Sequence, residues 1–91
     1  MNKDNIKSIL DKLNIEIKDS WHTIHKFKNI TLTCYYHQFY IGDKMYIVSG
    51  DGNTYVLTDE NPFNYIYAGF ELKELKNTIK ELYEKAILFV S

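Results

Sequence analysis

Residues 21–37, WHTIHKFKNITLTCYYH, hold all three histidines and the only cysteine of the chain: His22, His25, Cys34 and His37. The spacings H-x2-H and C-x2-H bring together residue types that zinc accepts in a tetrahedral site. Three-residue spacing, however, gathers side chains only on a helix or in a tight knuckle, whereas along a regular strand residues three apart point to opposite faces. Zinc binding through these four residues therefore depends on a local irregularity. A cysteine nucleophile would need a thiolate-stabilising neighbour, an oriented base and an oxyanion site, and no family signature surrounds Cys34. The plain alternative is that Cys34 fills space in a core and the histidines lie at sheet margins.

Other stretches offer less chemistry. SGDGNT has the glycines of a phosphate loop but neither the G-x4-G-K-[ST] spacing nor a following helix, and Asp51 and Asn53 do not fit a calcium loop. Asp43, Asp51, Asp59 and Glu60 all fall in expected turns, which accounts for them without a general acid and base. The reading that follows is a non-enzymatic protein with no cofactor and no metal.

The elements that carry these residues are legible from periodicity. Ile6, Ile9, Leu10 and Leu13 behind Asp4 indicate a short amphipathic helix over about residues 4–13, with Asn14 suited to the left-handed conformation that ends a helix. IEIKDS fits either state, and WHTIHKF reads as a strand before a Lys28-Asn29 turn. Ile30 to Ile41 is β-branched and aromatic, Gly42-Asp43 forms a turn, and MYIVSG and NTYVLT flank Asp51-Gly52, a type I′ hairpin signal. With Asp51 and Gly52 as the two loop residues, Val48 faces Tyr55, Tyr46 faces Leu57 and Ile47 faces Val56. FNYIYAGF after Pro62 reads as a further edge strand. Leu72, Leu75, Ile79, Leu82, Ala86 and Phe89 alternate at three and four residues and define an amphipathic helix from 71 to about 88 that packs on the sheet, with Ile87, Leu88 and Val90 widening its apolar end.

Apolar parity changes within 30–41: Ile30, Leu32 and Cys34 are even, Phe39 and Ile41 odd. A single continuous core face then requires a β-bulge near Tyr35-Tyr36, which would turn Cys34 and His37 to the same side. The fold class is α+β: an N-terminal helix, a curved antiparallel meander of four or five strands, and a C-terminal helix on one sheet face, in one domain over residues 1–91.

The chain has 91 residues, a net charge of -1 and no arginine. Lacking the guanidinium fork and a basic total, it is poorly equipped for sequence-specific nucleic-acid readout. A lone cysteine, a polar N-terminal stretch and a longest apolar run of only AILFV point to a cytoplasmic protein with no membrane span.

Eight tyrosines, five phenylalanines and one tryptophan are the remaining signal. Two helices cover only one sheet face, so about half of these rings should face outward. Tyr36, Gln38, Tyr40, Ile47 and Val56 share a face, with Trp21 beside Tyr36 and Tyr65 and Tyr67 extending it. Such clusters suit protein interfaces, since they combine contact area, a hydroxyl and little entropy to lose. The same face, rimmed by Lys18, Lys26, Lys28, His22 and His25, also suits stacking of single-stranded bases. A second copy of the chain, or residues 59–70, would equally serve to cover it.

The layout of short helix, antiparallel meander and C-terminal helix in under a hundred residues resembles small phage proteins, including anti-CRISPR inhibitors that block a nuclease by binding it. The resemblance covers the whole chain in layout only and no motif carries it. It implies a protein partner, a nuclease or its complex, and an inhibitory role for a mobile element. Several such inhibitors are strongly acidic mimics of nucleic acid and this chain is not, so binding here would rest on aromatic contacts.

Overall fold

A computed structural model describes residues 5–90, with side chains described through Ala86. Asp4, expected to cap the first helix, and the side chains of Ile87, Leu88, Phe89 and Val90 lie outside that description. The elements in chain order are α1 (Asn5–Lys12), β1 (Ile17–Phe27), β2 (Ile30–Ile41), β3 (Lys44–Gly50), β4 (Tyr55–Asp59), β5 (Tyr65–Gly69) and α2 (Leu72–Val90). The five strands form one antiparallel sheet in sequence order, β1-β2-β3-β4-β5, and both helices pack on one face of it, the inner face. No helix among the described residues is long and apolar enough to cross a membrane.

α1 ends as its sequence requires. Asn14 takes φ 58, the Asn14 amide donates to the Asp11 carbonyl (3.1 Å) and the Ile15 amide to the Leu10 carbonyl (2.9 Å). These two bonds form a Schellman cap with asparagine in the left-handed position, and the apolar pair it brings together, Leu10 and Ile15, is buried. α2 is anchored by Leu75 and Ile79, both fully buried, with Leu72, Leu82 and Ala86 beside them. Its first turn is tied to β5 by the Tyr67 hydroxyl, which accepts the Glu71 amide (3.2 Å) and donates to the Glu71 carbonyl (3.0 Å).

The core lies between inner face and helices: Phe39 and Ile41 of β2, Tyr46 and Val48 of β3, Tyr55 and Leu57 of β4, closed over by Ile6, Leu10, Leu75 and Ile79. Phe39 and Tyr46 stack at 5.7 Å between ring centroids. Gly50 leaves room for the helix, since a Cβ there would lie 2.7 Å from the Tyr55 ring and 2.9 Å from Ile6 Cδ1.

Two expectations about register need correction. No bulge interrupts β2 near Tyr35-Tyr36; pairing runs unbroken from Tyr35↔Gly50 to Ile41↔Lys44 against β3, and the irregularity falls on β1 at Lys18, between Ile17↔Phe39 and Asp19↔Gln38. The even-numbered Ile30, Leu32 and Cys34 therefore never join the core face; both faces of β2 are apolar along part of its length. The 50s hairpin is also not a two-residue turn. Its loop spans 51–54, with Gly50 opposite Tyr55, Val48 opposite Leu57, Tyr46 opposite Asp59, Ile47 opposite Thr58 and Ser49 opposite Val56. The Asp51 carboxylate makes the wider loop: Oδ1 accepts the amides of Asn53 (2.9 Å) and Thr54 (2.8 Å) and the Thr54 hydroxyl (3.2 Å), while Gly52 takes φ 96. The register moves by two residues, which leaves every side chain on its expected face.

β1 and β2 outrun the sheet. β3 ends at Gly50, opposite Tyr35, so Thr23–Phe27 and Ile30–Cys34 continue as a two-stranded ribbon of five residue pairs, about 17 Å long. It gives the molecule principal extents of 52 × 24 × 21 Å. Its tip is the Lys28-Asn29 turn, in which Lys28 adopts φ 54.

Candidate functional site

Cross-strand partners share a face, so the register assigns each side chain near the histidine and cysteine cluster. His22 lies opposite Tyr35 and Ser20 opposite His37, both on the inner side; Thr23 faces Cys34 and His25 faces Leu32 on the outer side. The zinc set is thus split two and two across the sheet, and His22, His25, Cys34 and His37 do not converge. Among the described residues no group of three or more His, Cys, Asp or Glu is arranged to hold a metal ion. His37 is 3% exposed and its Nδ1 is 2.7 Å from Ser20 Oγ. That pairing gives the buried imidazole one of its hydrogen-bond partners. His25 Nε2 lies 3.2 Å from Thr23 Oγ1 on the exposed ribbon.

The outer face gathers most of the residues expected to bind a partner. Trp21, Tyr36, Gln38, Tyr40, Ile47 and Val56 all lie on it, through the pairs Trp21↔Tyr36, Gln38↔Ile47, Tyr40↔Met45 and Ser49↔Val56. Trp21 and Tyr36 stack with ring centroids 5.5 Å apart and planes within 4°. Gln38 Nε2 donates to the Met45 sulfur (2.9 Å). Tyr65 extends the face at its far edge, opposite Thr58. Tyr67 does not. A bulge at Ile66 places Tyr67 opposite Leu57 on the inner side, where its hydroxyl caps α2, so the strict alternation expected for β5 fails there.

Ile30, Leu32 and Cys34, which their parity and a bulge would place in the core, lie on this face instead. Phe27, opposite Ile30, joins them and is 70% exposed at the ribbon tip. The signal was present in their parity, which matches that of Tyr36 and Tyr40. Thr23, Cys34 and Tyr36 form the polar centre of the face. Thr23's hydrogen bond favours the Tyr36 phenolate, but the Cys34 thiol and partial burial outweigh it and hold the hydroxyl above the ordinary tyrosine range.

Charge is segregated along the ribbon. From Ser20 to Gly42 there is no aspartate or glutamate, while Lys26 and Lys28 flank Phe27. The carboxylates nearest the ribbon are Asp19, at the start of β1, and Asp43, in the β2–β3 turn, while Asp51 and Asp59 are engaged in loop hydrogen bonds. The site is therefore an aromatic sheet face whose ribbon carries lysines and no carboxylate. No protein-family model matches the chain, and neither a characterised protein nor a solved structure shows significant similarity to it.

Proposed function

We propose that this protein is a small non-catalytic binding module that docks its outer sheet face on a partner protein, and that the partner is a host-defence enzyme of the CRISPR type, inhibited on behalf of a phage or other mobile element. One observation supports the docking part above the others. Both helices pack on the inner face, and the outer face keeps Trp21 and Tyr40 exposed around Tyr36, Gln38, Ile47 and Val56, a mixture typical of interface centres. The identity of the partner rests on the resemblance in layout alone. A cytoplasmic site of action follows from that proposal.

The test is phage plating on hosts that carry an active CRISPR nuclease, with and without the protein, together with cleavage assays on the purified nuclease. Protection that disappears in Trp21→Ala/Tyr40→Ala, with the fold intact by circular dichroism, supports the reading. Unchanged cleavage at saturating protein across representative nuclease types removes the inhibitor assignment.

The carboxylate-free stretch from Ser20 to Gly42 favours a second reading, single-stranded nucleic-acid binding by stacking on Trp21 and Tyr36 with Lys28, at the ribbon tip, at the backbone. Fluorescence anisotropy with a labelled oligothymidylate decides it. Affinity must fall as salt rises, because lysine contacts to phosphate release counterions; no change in anisotropy eliminates it.

A further inference from the structure

The ribbon lacks what a β-ribbon needs. Two strands without a third or a packed helix are marginally stable in water, yet every residue from Ile24 to Leu32 is exposed, including Ile24 (54%), Phe27, Ile30 and Leu32. β1 is moreover the edge of the sheet along its entire length. Edge strands are ordinarily blunted by proline, bulges or inward charges. Between Asp19 and Phe27 the pairing of β1 is regular, there is no proline, and Lys26 is the one lysine inside the segment.

We infer that β1 pairs antiparallel with β1 of a second copy, with the two-fold axis at Ile24, to form a continuous ten-stranded sheet. The argument for a second copy is the self-complementarity of this strand. A two-fold axis perpendicular to the sheet keeps each face on its own side, so odd residues pair with odd and even with even. With the axis at Ile24, Trp21 lies opposite Phe27 on the outer face twice over, Ile24 opposite its own copy on the inner face, and Thr23 opposite His25. Lys26 then faces His22 and Lys28 faces Ser20, so no lysine meets a lysine. Moving the axis to His22 sets Lys18 against Lys26; moving it to Thr23 sets Phe27 against Asp19 and Trp21 against His25. Aromatic and β-branched cross-strand pairs stabilise a sheet, and like charges directly opposite destabilise it. Only the Ile24 register gathers the large apolar side chains.

Pairing at this edge turns the two ribbons into a four-stranded centre and leaves the outer faces of both copies side by side, so it is independent of the partner proposed above. The paired segment, residues 20–28, is short beside a standard interface of about 800 Å² per partner. The dimer is accordingly weak, with Kd on the order of 1–100 μM.

Light scattering and sedimentation of the purified chain over that concentration range test the association. The mass should rise from 10.8 kDa toward twice that value, and Ile24→Lys, which opposes two ammonium groups at the axis on an exposed position, should abolish the rise. Oxidative cross-linking tests the register in a Cys34→Ser background. Ile24→Cys should form an intermolecular disulfide, since directly opposite Cα atoms lie about 4.5–5.5 Å apart and disulfides span about 4.4–6.8 Å. His22→Cys should not, because its own copy lies four residues along the strand. A mass that stays at one chain, a dimer that survives Ile24→Lys, as one formed through the outer face would, or cross-linking at 22 in place of 24 each overturns the proposal.

Discussion

Phe39 and Tyr40 are sequence neighbours of similar size on opposite faces of β2, and replacing each by alanine measures how much stability each face carries. Phe39 is fully buried between the Tyr46 ring and the helices, whereas Tyr40 is 44% exposed. Removing a buried phenylalanine ring deletes its transfer free energy and leaves a cavity, a loss of about 3–5 kcal/mol. A 91-residue domain has about 5–14 kcal/mol in total, so Phe39→Ala should remove about a fifth or more of the stability and shift the urea midpoint accordingly. Tyr40 loses mainly its half-covered contact with Met45, and Tyr40→Ala should cost about 1 kcal/mol or less. Urea unfolding followed by far-ultraviolet circular dichroism reads both, with the slope m held in common as a check that the unfolded states match. Equal losses at the two positions would mean that the outer face is as well packed as the inner one. The idea that its rings are available to a partner would then be untenable.

Three further substitutions probe devices that hold the sheet. Gly50→Ala should destabilise by about 1–3 kcal/mol by overpacking, because the added Cβ meets the Tyr55 ring at 2.7 Å and Ile6 of α1 at 2.9 Å; an unchanged midpoint would show that both side chains yield freely. Tyr67→Phe removes the hydroxyl that caps α2 and should cost about 1 kcal/mol, read as a lower melting temperature with more rapid amide exchange in residues 72–75 than in the core. Backbone hydrogen bonds from Thr54 and Asn53 hold the Asp51 carboxyl below the ordinary carboxylate range. A depressed folded value means that its contribution is present above the unfolded value and is lost as pH falls through the folded one. The acid limb of stability against pH should therefore flatten in Asp51→Ala, and an identical limb in both proteins would refute the assignment.

How far the sequence disclosed this arrangement depended on whether one face or two carried apolar residues. α1, α2 and the strand order were legible because Ile6, Ile9 and Leu10, or Leu75, Ile79 and Leu82, recur on a single stripe opposite charged residues, a pattern with one interpretation. β2 has no such contrast. Ile30, Leu32 and Cys34 are apolar on the outer side and Phe39 and Ile41 on the inner, so a reading that allowed one core face had to introduce a bulge to reconcile them. The 51–54 loop was missed for a different reason: Asp51-Gly52 is a strong two-residue turn signal, but the carboxylate of Asp51 bonds two following amides and widens the loop. Tyr67 was misplaced because a bulge on a five-residue edge strand leaves no trace in residue type.

The placement of the rings follows from the volume available under two short helices. Of the thirteen aromatic side chains described, only Phe39, Tyr46 and Tyr55 are buried, and seven are exposed. α1 offers eight residues and α2 a single stripe, enough to cover β2, β3 and β4 along their shared length but not the ribbon beyond Gly50. Any ring on an even position of β2 is therefore left outside, whatever its hydrophobicity, and a strand lengthened past the helices can only add more of them. Phe27, Ile30 and Leu32 are the residues of that extension. A chain selected merely to fold would gain solubility by ending β2 near Tyr35 with a polar turn, so shortening the ribbon, by deleting residues 24–33 and joining the strands through Asn-Gly, separates the two requirements. The truncated protein should keep the unfolding cooperativity of the parent, since the ribbon lies outside the buried core, and should lose self-association while partner binding through Trp21, Tyr36 and Tyr40 persists. Loss of the cooperative transition instead would make the ribbon a structural element and leave Phe27, Ile30 and Leu32 without a role in self-association.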